Sequence, residues 1–237
     1  MSEAANTDHR FDTALQALTA YDDVELLSKA MGEVFPGRIC VVSAFGAESA
    51  VVLDMVARID RKVPILFVDT GKHFKETLEY RDMLIDRLRL EDVRSIGPAQ
   101  DKIAGDETGL LHQTNTDACC EIRKVIPLEE ALSQFDCWIT GRKRFQGGSR
   151  STLATAETDG PDRLKLNPLA NWSPARIDAY FDNYGLPRHP LWFKGYASIG
   201  CGPCTGLPTE AGDSRSGRWS GLGKSECGIH RYSGQAA

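Results

Sequence analysis

The chain has 237 residues, of which 41% are hydrophobic and 26% charged, a composition that fits one globular domain with a sizeable buried core. No run approaches the ~20 apolar residues that a membrane span requires, and the first residues show no signal-peptide pattern. We therefore expect a cytoplasmic protein without a membrane partner. The formal net charge of −5 argues against general nucleic-acid binding, so any anion site must be local.

Apolar patterns in chain order predict an α/β fold. Helical spacing indicates one or two amphipathic helices over residues 11–34 and further helices at 51–59, 76–88 and 174–184. Short apolar runs predict strands at 39–44, 63–68, 92–96, 136–140 and 163–169. Because such strands alternate with helices, we expect an open, mostly parallel sheet with helices on both faces.

Three loops that follow predicted strands are candidate binding sites. The turn Phe45-Gly-Ala-Glu-Ser49 leads into a helix and could direct backbone N–H groups at a phosphate, although it also fits a plain βα turn. Asp69-Thr-Gly71 ends the second strand, where a carboxylate suits a nucleotide's hydroxyl or amino groups or caps the next helix. The loop 141–150 contains four cations and three glycines, which favours anion binding over a merely solvated basic face.

The composition changes near residue 212, where glycine and serine become frequent. Such a segment is unlikely to pack a core of its own and is typical of a mobile lid. We therefore predict one α/β domain over residues 1–211 and a mobile C-terminal tail over residues 212–237.

Clustered cysteines are the strongest spacing signal in the chain. Cys119-Cys120 and the later Cys201-Gly-Pro-Cys204 can supply four thiolates to one metal centre, either zinc or an iron–sulfur cluster, which the spacing does not distinguish. Structural disulfides are not expected in a reducing cytoplasm, and a thioredoxin-like redox motif would need another fold context. Adjacent side chains on a helix diverge by about 100°, so two neighbouring ligands of one metal centre would strain a single regular helix.

The remaining cysteines have different surroundings. Cys40 lies within a predicted strand and is interpreted as a small core residue. Cys137 lies within another predicted strand and is interpreted as buried or edge-facing rather than reactive. Cys227 stands alone in the tail and is interpreted as a nucleophile. A free thiol with a pKa of ~8.5 is mostly protonated at neutral pH, and nearby cations lower that pKa.

In combination, Cys-Cys, C-x-x-C and the tail motif Glu226-Cys-Gly-Ile-His230 resemble the assimilatory sulfonucleotide reductases, specifically the cluster-containing adenylyl-sulfate (APS) reductases. Asp69-Thr-Gly and the loop from Gly141 resemble that family's substrate loops, and the match runs from about residue 39 to 230. The resemblance implies an adenine nucleotide α-hydrolase-like fold. It also implies one [4Fe–4S] cluster per subunit, held by Cys119, Cys120, Cys201 and Cys204.

The activity implied by this resemblance is the reduction of APS to sulfite and AMP, in sulfate assimilation leading to cysteine biosynthesis. Cys227 would attack the sulfur to form an S-sulfocysteine, and thioredoxin or a similar dithiol would release sulfite. Two alternatives stay open: a reductase of the 3′-phosphorylated substrate (PAPS), and a zinc-stabilised nucleotide-binding protein without redox turnover. PAPS-specific relatives usually lack the four cluster cysteines, which favours APS. A homo-oligomer is compatible with the sequence.

The resemblance also implies a set of substrate-binding residues. The phosphate would lie on the turn 43–49 and the loop 142–150, and Lys124 between the cluster and the sulfate. The turn reads Ser43-Ala-Phe-Gly-Ala-Glu-Ser49, where relatives more often have Ser-Phe-Ser/Gly-Gly/Ala-Glu-Asp. The full set is Ser43, Phe45, Gly46, Ala47, Glu48, Asp69, Thr70, Gly71, Lys124, Arg142, Arg144, Gln146, Arg215, Arg218 and His230.

Overall fold

A six-stranded sheet forms the centre of the computed structural model, which describes residues 2–220, 222, 224 and 226–230. The strands are β1 (Ile39–Ser43), β2 (Ile65–Val68), β3 (Val93–Ile96), β4 (Cys137–Ile139), β5 (Ala156–Thr158) and β6 (Leu164–Leu166). Their order is β3-β2-β1-β4-β6-β5. The pairs β3–β2, β2–β1, β1–β4 and β4–β6 are parallel, and β5 is antiparallel to β6.

Helices connect these strands. They are α1 (Ser2–Leu18), α2 (Asp23–Lys29), α3 (Ser49–Ile59), α4 (Lys75–Leu88), α5 (Gln100–Ile103), α6 (Leu111–Thr114), α7 (Thr116–Cys120), α8 (Ile126–Leu132) and α9 (Pro174–Tyr184). A π-helical segment, Ala30–Val34, continues α2, and a second, Glu121–Val125, joins α7 to α8. No helix among the described residues is both long enough and apolar enough to cross a bilayer.

Both faces of the sheet are buried, which explains why its central strands are apolar throughout. Alternate side chains of each strand enter different cores: Val41 joins the core shared with α1–α4 and α9, whereas Cys40 joins the smaller core under α8. Every residue of β1 is buried. The predicted open, mostly parallel sheet with helices on both faces is therefore confirmed.

The predicted strands and helices are present with somewhat different bounds. The cap of α9 is as predicted, since Ser173 Oγ accepts the Arg176 N–H at 3.2 Å and Gly185 ends the helix in the left-handed region with φ 57°. The sequence did not indicate β5 or the short helices α5 and α6. β5 is three residues long and carries polar side chains, and its pairing with β6 defines it.

The strand order creates a crevice in the middle of the sheet. From β1 the chain builds outward through β2 and β3, then returns to the other side of β1 for β4. The loops after β1 and β4 therefore leave neighbouring strands in opposite directions. In open α/β sheets, ligands bind at the carboxyl ends of strands at such a switch point.

Candidate active site

A cavity of about 190 Å³ opens at this switch point. Its walls are the turn after β1, the loop after β4, residues 197–201 and the C-terminal tail. The structure thus brings together segments that are distant in sequence. The predicted site residues that line the cavity are Ser43, Gly46, Ala47, Glu48, Lys124, Arg142, Gln146, Cys201, Arg215, Arg218, Cys227 and His230.

The turn after β1 is tight. The Phe45 N–H donates to Ser43 Oγ at 3.1 Å, and Phe45 adopts a left-handed φ of 48°. The Phe45 ring points away from the cavity into the core, where it meets Phe67 edge-on at 5.6 Å, so only its backbone can face a ligand. A Cβ at Gly46 would lie 2.8 Å from the Ile199 carbonyl oxygen, so the close approach of these two segments requires glycine here.

The basic loop after β4 is held by acidic partners. Lys143 pairs with Glu48 of the opposite turn at 2.7 Å, which ties two walls of the cavity together. Arg142 contacts Glu157 of β5, and its burial lowers the pKa of the guanidinium below its usual value. Arg144 lies outside the cavity lining and donates through Nε to the Leu153 carbonyl at 2.6 Å.

Cationic side chains outnumber acidic ones in the described lining of the cavity. The cations are Lys124, Arg142, Lys143, Arg150, Arg215 and Arg218, and the carboxylates are Glu48 and Glu226. In a chain of net charge −5 this is a local concentration of positive charge. Guanidinium groups in a partly desolvated cavity suit phosphate and sulfate oxygens.

Four cysteines lie beside the cavity. Cys119 and Cys120 end α7, whereas Cys201 and Cys204 flank a short 3₁₀ turn, and all four are buried. Coulombic coupling links Cys201 to each of the other three thiols. Burial is the first cause that raises the pKa of the Cys119, Cys120 and Cys204 thiols, and for Cys120 the pKa reaches about 11.

The Asp69-Thr-Gly71 loop supports this cysteine group instead of lining the cavity. Thr70 Oγ1 lies 3.2 Å from Cys201 Sγ, and the Gly202 N–H donates to the Lys72 carbonyl at 2.7 Å. Asp69 Oδ1 accepts the Gly71 N–H at 3.0 Å, as in an Asx turn. The predicted substrate residues Asp69, Thr70 and Gly71 therefore hold the loop against the second cysteine pair.

The π-helical segment Glu121–Val125 directs two neighbouring cations to different places. Arg123 donates to Asp106 Oδ2 at 2.7 Å and to the Thr70 carbonyl at 2.9 Å, and Asp106 is completely buried. Lys124 instead lines the cavity. Burial alone would lower the pKa of Lys124, but the thiols of Cys227, Cys201 and Cys120 raise it above its ordinary value.

The chemistry of the four-thiol group fits an iron–sulfur cluster. None of the chain's seven cysteines is in a disulfide. The buried Trp219 Nε1–H packs in the cluster formed with Cys201 and Cys204 and has no acceptor among the described residues, as expected beside a sulfur-rich group.

The described tail residues pack over the cavity. Cys227 is half-buried and joins the apolar cluster of Cys201, Cys204 and Trp219. Beside it, the Glu226 carboxylate accepts from Arg150 NH2 at 2.9 Å and lies 3.3 Å from Arg215. Burial, followed by Arg142, lowers the pKa of His230 well below its ordinary value, so the ring is neutral at pH 7.

Cys40 and Cys137 are core residues, as predicted. Both are fully buried on neighbouring strands, and burial raises the pKa of each thiol above its ordinary value. Other contributors were not singled out in the sequence, among them Ser198–Gly200 and Trp138. Residues 198–200 directly precede the C-x-x-C motif, and this proximity could have indicated that they belong to the site. Trp138 carries no such signal, because in sequence it looks like any other apolar residue of a strand.

These features define a class: an α/β protein with a cationic cavity at the carboxyl ends of its central strands and a group of buried cysteines next to it. The model of the phosphoadenosine phosphosulfate reductase domain matches residues 38–207. An adenosine 5′-phosphosulfate reductase from Mesorhizobium japonicum is 48% identical over 209 residues, covering 87% of this chain and 82% of the relative. A phosphoadenosine 5′-phosphosulfate reductase from Gloeobacter violaceus is 38% identical over 204 residues, covering 83% of each.

A solved structure shows the same architecture. The phosphoadenylyl-sulfate reductase of Candida auris, in complex with phosphate, superposes with a TM-score of 0.67 and covers 80% of this chain and 94% of its own. Its sequence identity of 24% supports the fold alone. The expected adenine nucleotide α-hydrolase-like fold is confirmed. The chain belongs to the phosphoadenosine phosphosulfate reductase family.

Proposed function

We propose that this protein reduces adenosine 5′-phosphosulfate (APS) to sulfite and AMP in sulfate assimilation, with Cys227 as nucleophile. The observation that carries the proposal is the place of Cys227: a half-buried thiol on the wall of a cationic cavity, next to four buried cysteines. The residues that would hold a [4Fe–4S] cluster, one per subunit, are Cys119, Cys120, Cys201 and Cys204. When bound, such a cluster supplies structural support and local charge beside Lys124.

Substrate binding follows from the distribution of charge. The nucleotide phosphate would lie against the backbone of the turn 43–49 and against Arg142, and the sulfate between Lys124, Arg215 and Arg218. Neutralising both anions lets a thiolate approach a sulfur that already carries negative oxygens. Arg218 and Lys124 line the same cavity as Cys227 and place positive charge near its sulfur.

The first chemical step is a displacement at sulfur. The Cys227 thiolate forms an S–S bond to the sulfonate sulfur while the bond from that sulfur to the phosphate oxygen breaks. AMP leaves with the electron pair of the broken bond, and the enzyme carries an S-sulfocysteine. Positioning and charge neutralisation are the main tasks of the protein because AMP is a good leaving group.

The second step needs two electrons from outside. One thiolate of a dithiol of the thioredoxin kind attacks Cys227 Sγ and releases sulfite, and the resulting mixed disulfide is resolved by the second thiol. The dithiol is oxidised to a disulfide and Cys227 returns as a thiol. We place the reaction in the cytoplasm, where such dithiols are kept reduced.

A PAPS reductase is the second candidate because relatives carry both names. The test is sulfite release from APS and from PAPS by anaerobically purified protein with thioredoxin supplied. We expect APS to be turned over with the higher kcat/KM. A preference for PAPS would identify the second candidate, and no sulfite from either nucleotide would contradict both.

Cys227→Ser tests the nucleophile, with Cys137→Ser as the matched control at a buried core cysteine. We expect Cys227→Ser to retain iron and APS binding but to release no sulfite, whereas Cys137→Ser keeps its turnover. Sulfite release by Cys227→Ser at near the wild-type rate would rule out this mechanism. Iron and sulfide analysis with a visible spectrum tests the cluster, and a colourless protein holding one zinc would exclude it.

A further inference from the structure

The indole ring of Trp138 in β4 is fixed in orientation by several polar contacts. We call this ring the aromatic platform. Its indole Nε1–H donates to Asp159 Oδ2 at 2.7 Å, and Lys165 Nζ lies 5.1 Å from the centre of its ring. Lys165 and Arg163 also donate to Asp159, at 3.1 and 3.0 Å. All these partners come from the β5–β6 hairpin, so the hairpin fixes the plane of this indole.

The tail turn Gly228–His230 lies on that platform. The His230 ring stacks on the Trp138 ring with centroids 5.8 Å apart and planes 5° from parallel. Ile229 packs against the same small core as Trp138. The tail turn also packs tightly against the π-helical segment, because a Cβ at Gly228 would lie 2.9 Å from Val125 Cγ2.

Cys227 directly precedes this turn, so the seat of the turn sets the position of the thiol. On its N-terminal side Glu226 is held by Arg150 and Arg215. These arginines line the cavity, where an anionic substrate would compete with Glu226 for them. Trp138 does not line the cavity and is 1% exposed, so a substrate anion would not contact its ring directly.

We propose that Trp138 is a positioning residue that docks the tail turn through His230 and thereby fixes the Cys227 thiol over the cavity. This inference rests on the proposed function of Cys227 as the nucleophile. It assigns the β5–β6 hairpin a role beyond closing the edge of the sheet, since Asp159, Arg163 and Lys165 orient the platform. Trp138 acts through His230 and is not itself a catalytic residue.

The test compares Trp138→Leu with Trp138→Phe in the full-length, iron-loaded protein. We expect Trp138→Leu to speed the alkylation of Cys227 by iodoacetamide, resolved by peptide mass spectrometry, about tenfold, because an aromatic stack contributes on that order to docking. The kcat for APS should fall about tenfold while KM stays within about threefold. Trp138→Phe keeps a ring and should restore both rates to within about threefold of wild type.

Trp172→Leu is the matched control. Trp172 is also buried, at 4% exposed, but it packs in the core on the other face of the sheet, against Tyr180. It should lower the melting temperature without changing the alkylation of Cys227. If Trp138→Leu folds and binds iron but alkylates and turns over like wild type, or if Trp172→Leu gives the same changes, the proposal is overturned.

If Trp138→Leu does not fold, Gly228→Ala tests the docking of the tail turn instead. It leaves the platform intact and forces the turn away from Val125, so Cys227 should again be alkylated faster. A wild-type alkylation rate in this variant would contradict the close docking. Because alkylation needs no turnover, a wild-type protein that makes no sulfite but shows the labelling contrast would contradict the proposed function and leave the platform standing.

Discussion

Cys40 and Cys137 are fully buried among apolar neighbours on β1 and β4, whereas Cys227 is half-buried among cations at the ends of those strands. In the strands, burial raises the pKa of both thiols, and for Cys40 burial outweighs the lowering by Arg163 and Arg94. At the cavity, Lys124 and Arg218 couple to the thiols. The charges and the backbone around a cysteine therefore affect its reactivity more than the thiol side chain itself does.

The largest expected effect comes from removing a cysteine of the four-thiol group. Cys201→Ala should lose nearly all iron and the visible absorption, with roughly a thousandfold or greater fall in sulfite release, because it removes one of the four proposed thiolate ligands. Iron analysis and the sulfite assay measure this. The control is Cys40→Ala, which should bind iron normally. Full iron content in Cys201→Ala would remove Cys201 from the ligand set.

Lys124→Gln removes a positive charge from the cavity and leaves every cysteine in place. We expect kcat/KM for APS to fall by about a hundredfold, the usual cost of losing one group that stabilises developing charge, while iron content is unchanged. Steady-state kinetics and the visible spectrum measure this. Lys194→Gln is the control, since Lys194 is exposed and pairs with Glu76 outside the cavity. Similar losses in both variants would argue against a specific role for Lys124.

Glu226→Gln probes the ion pair next to the nucleophile. The pKa of Glu226 is lowered because hydrogen bonding and charge from Arg150 outweigh burial, so the carboxylate is ionised at pH 7. Losing these charge-assisted bonds should speed alkylation of Cys227 about tenfold. Glu79→Gln, which removes the exposed partner of Lys75 on α4, should leave the rate unchanged. Equal rates in wild type and Glu226→Gln would show that this pair does not restrain the tail.

The smallest effect is expected in the strands. Cys137→Ala should keep iron and turnover, and should cost about 1 kcal/mol of stability for a small cavity, or roughly 2–4 °C in melting temperature. Differential scanning calorimetry with the sulfite assay checks both. A loss of iron from Cys137→Ala would show that a core cysteine is also needed for metal binding.

Much of the fold was predictable because buried parallel strands and capped helices leave local signals. The Ser173-Pro174 cap and the run at residues 39–44 are examples. β5 was missed because its polar residues become a strand only through pairing with β6. Lys165 looks like a solvated side chain in sequence, yet it is buried by its bonds to Asp159.

Only those parts of the candidate site that form short sequence motifs were predictable from the sequence. The clustered cysteines and the strand-end loops were found, and the structure brings most of the predicted residues to one cavity. The supporting contacts were not, because the stack of Trp138 with His230 and the pair of Arg123 with Asp106 depend on tertiary packing. Thr70 shows the limit of motifs, since it contacts Cys201 and lies outside the cavity lining.

The π-helical segment Glu121–Val125 makes the centre sensitive to chain length. A π turn holds one more residue than an α turn, and here it lies between the cysteine pair and α8. Because the wider turn absorbs the extra residue, deleting one residue there would let α7 run into α8 as a regular helix with nearly the same relative rotation. Such a deletion would instead change the separate placement of Arg123 against Asp106 and of Lys124 at the cavity, so a change of length within the segment should disturb this side of the cavity without turning α7 away from α8.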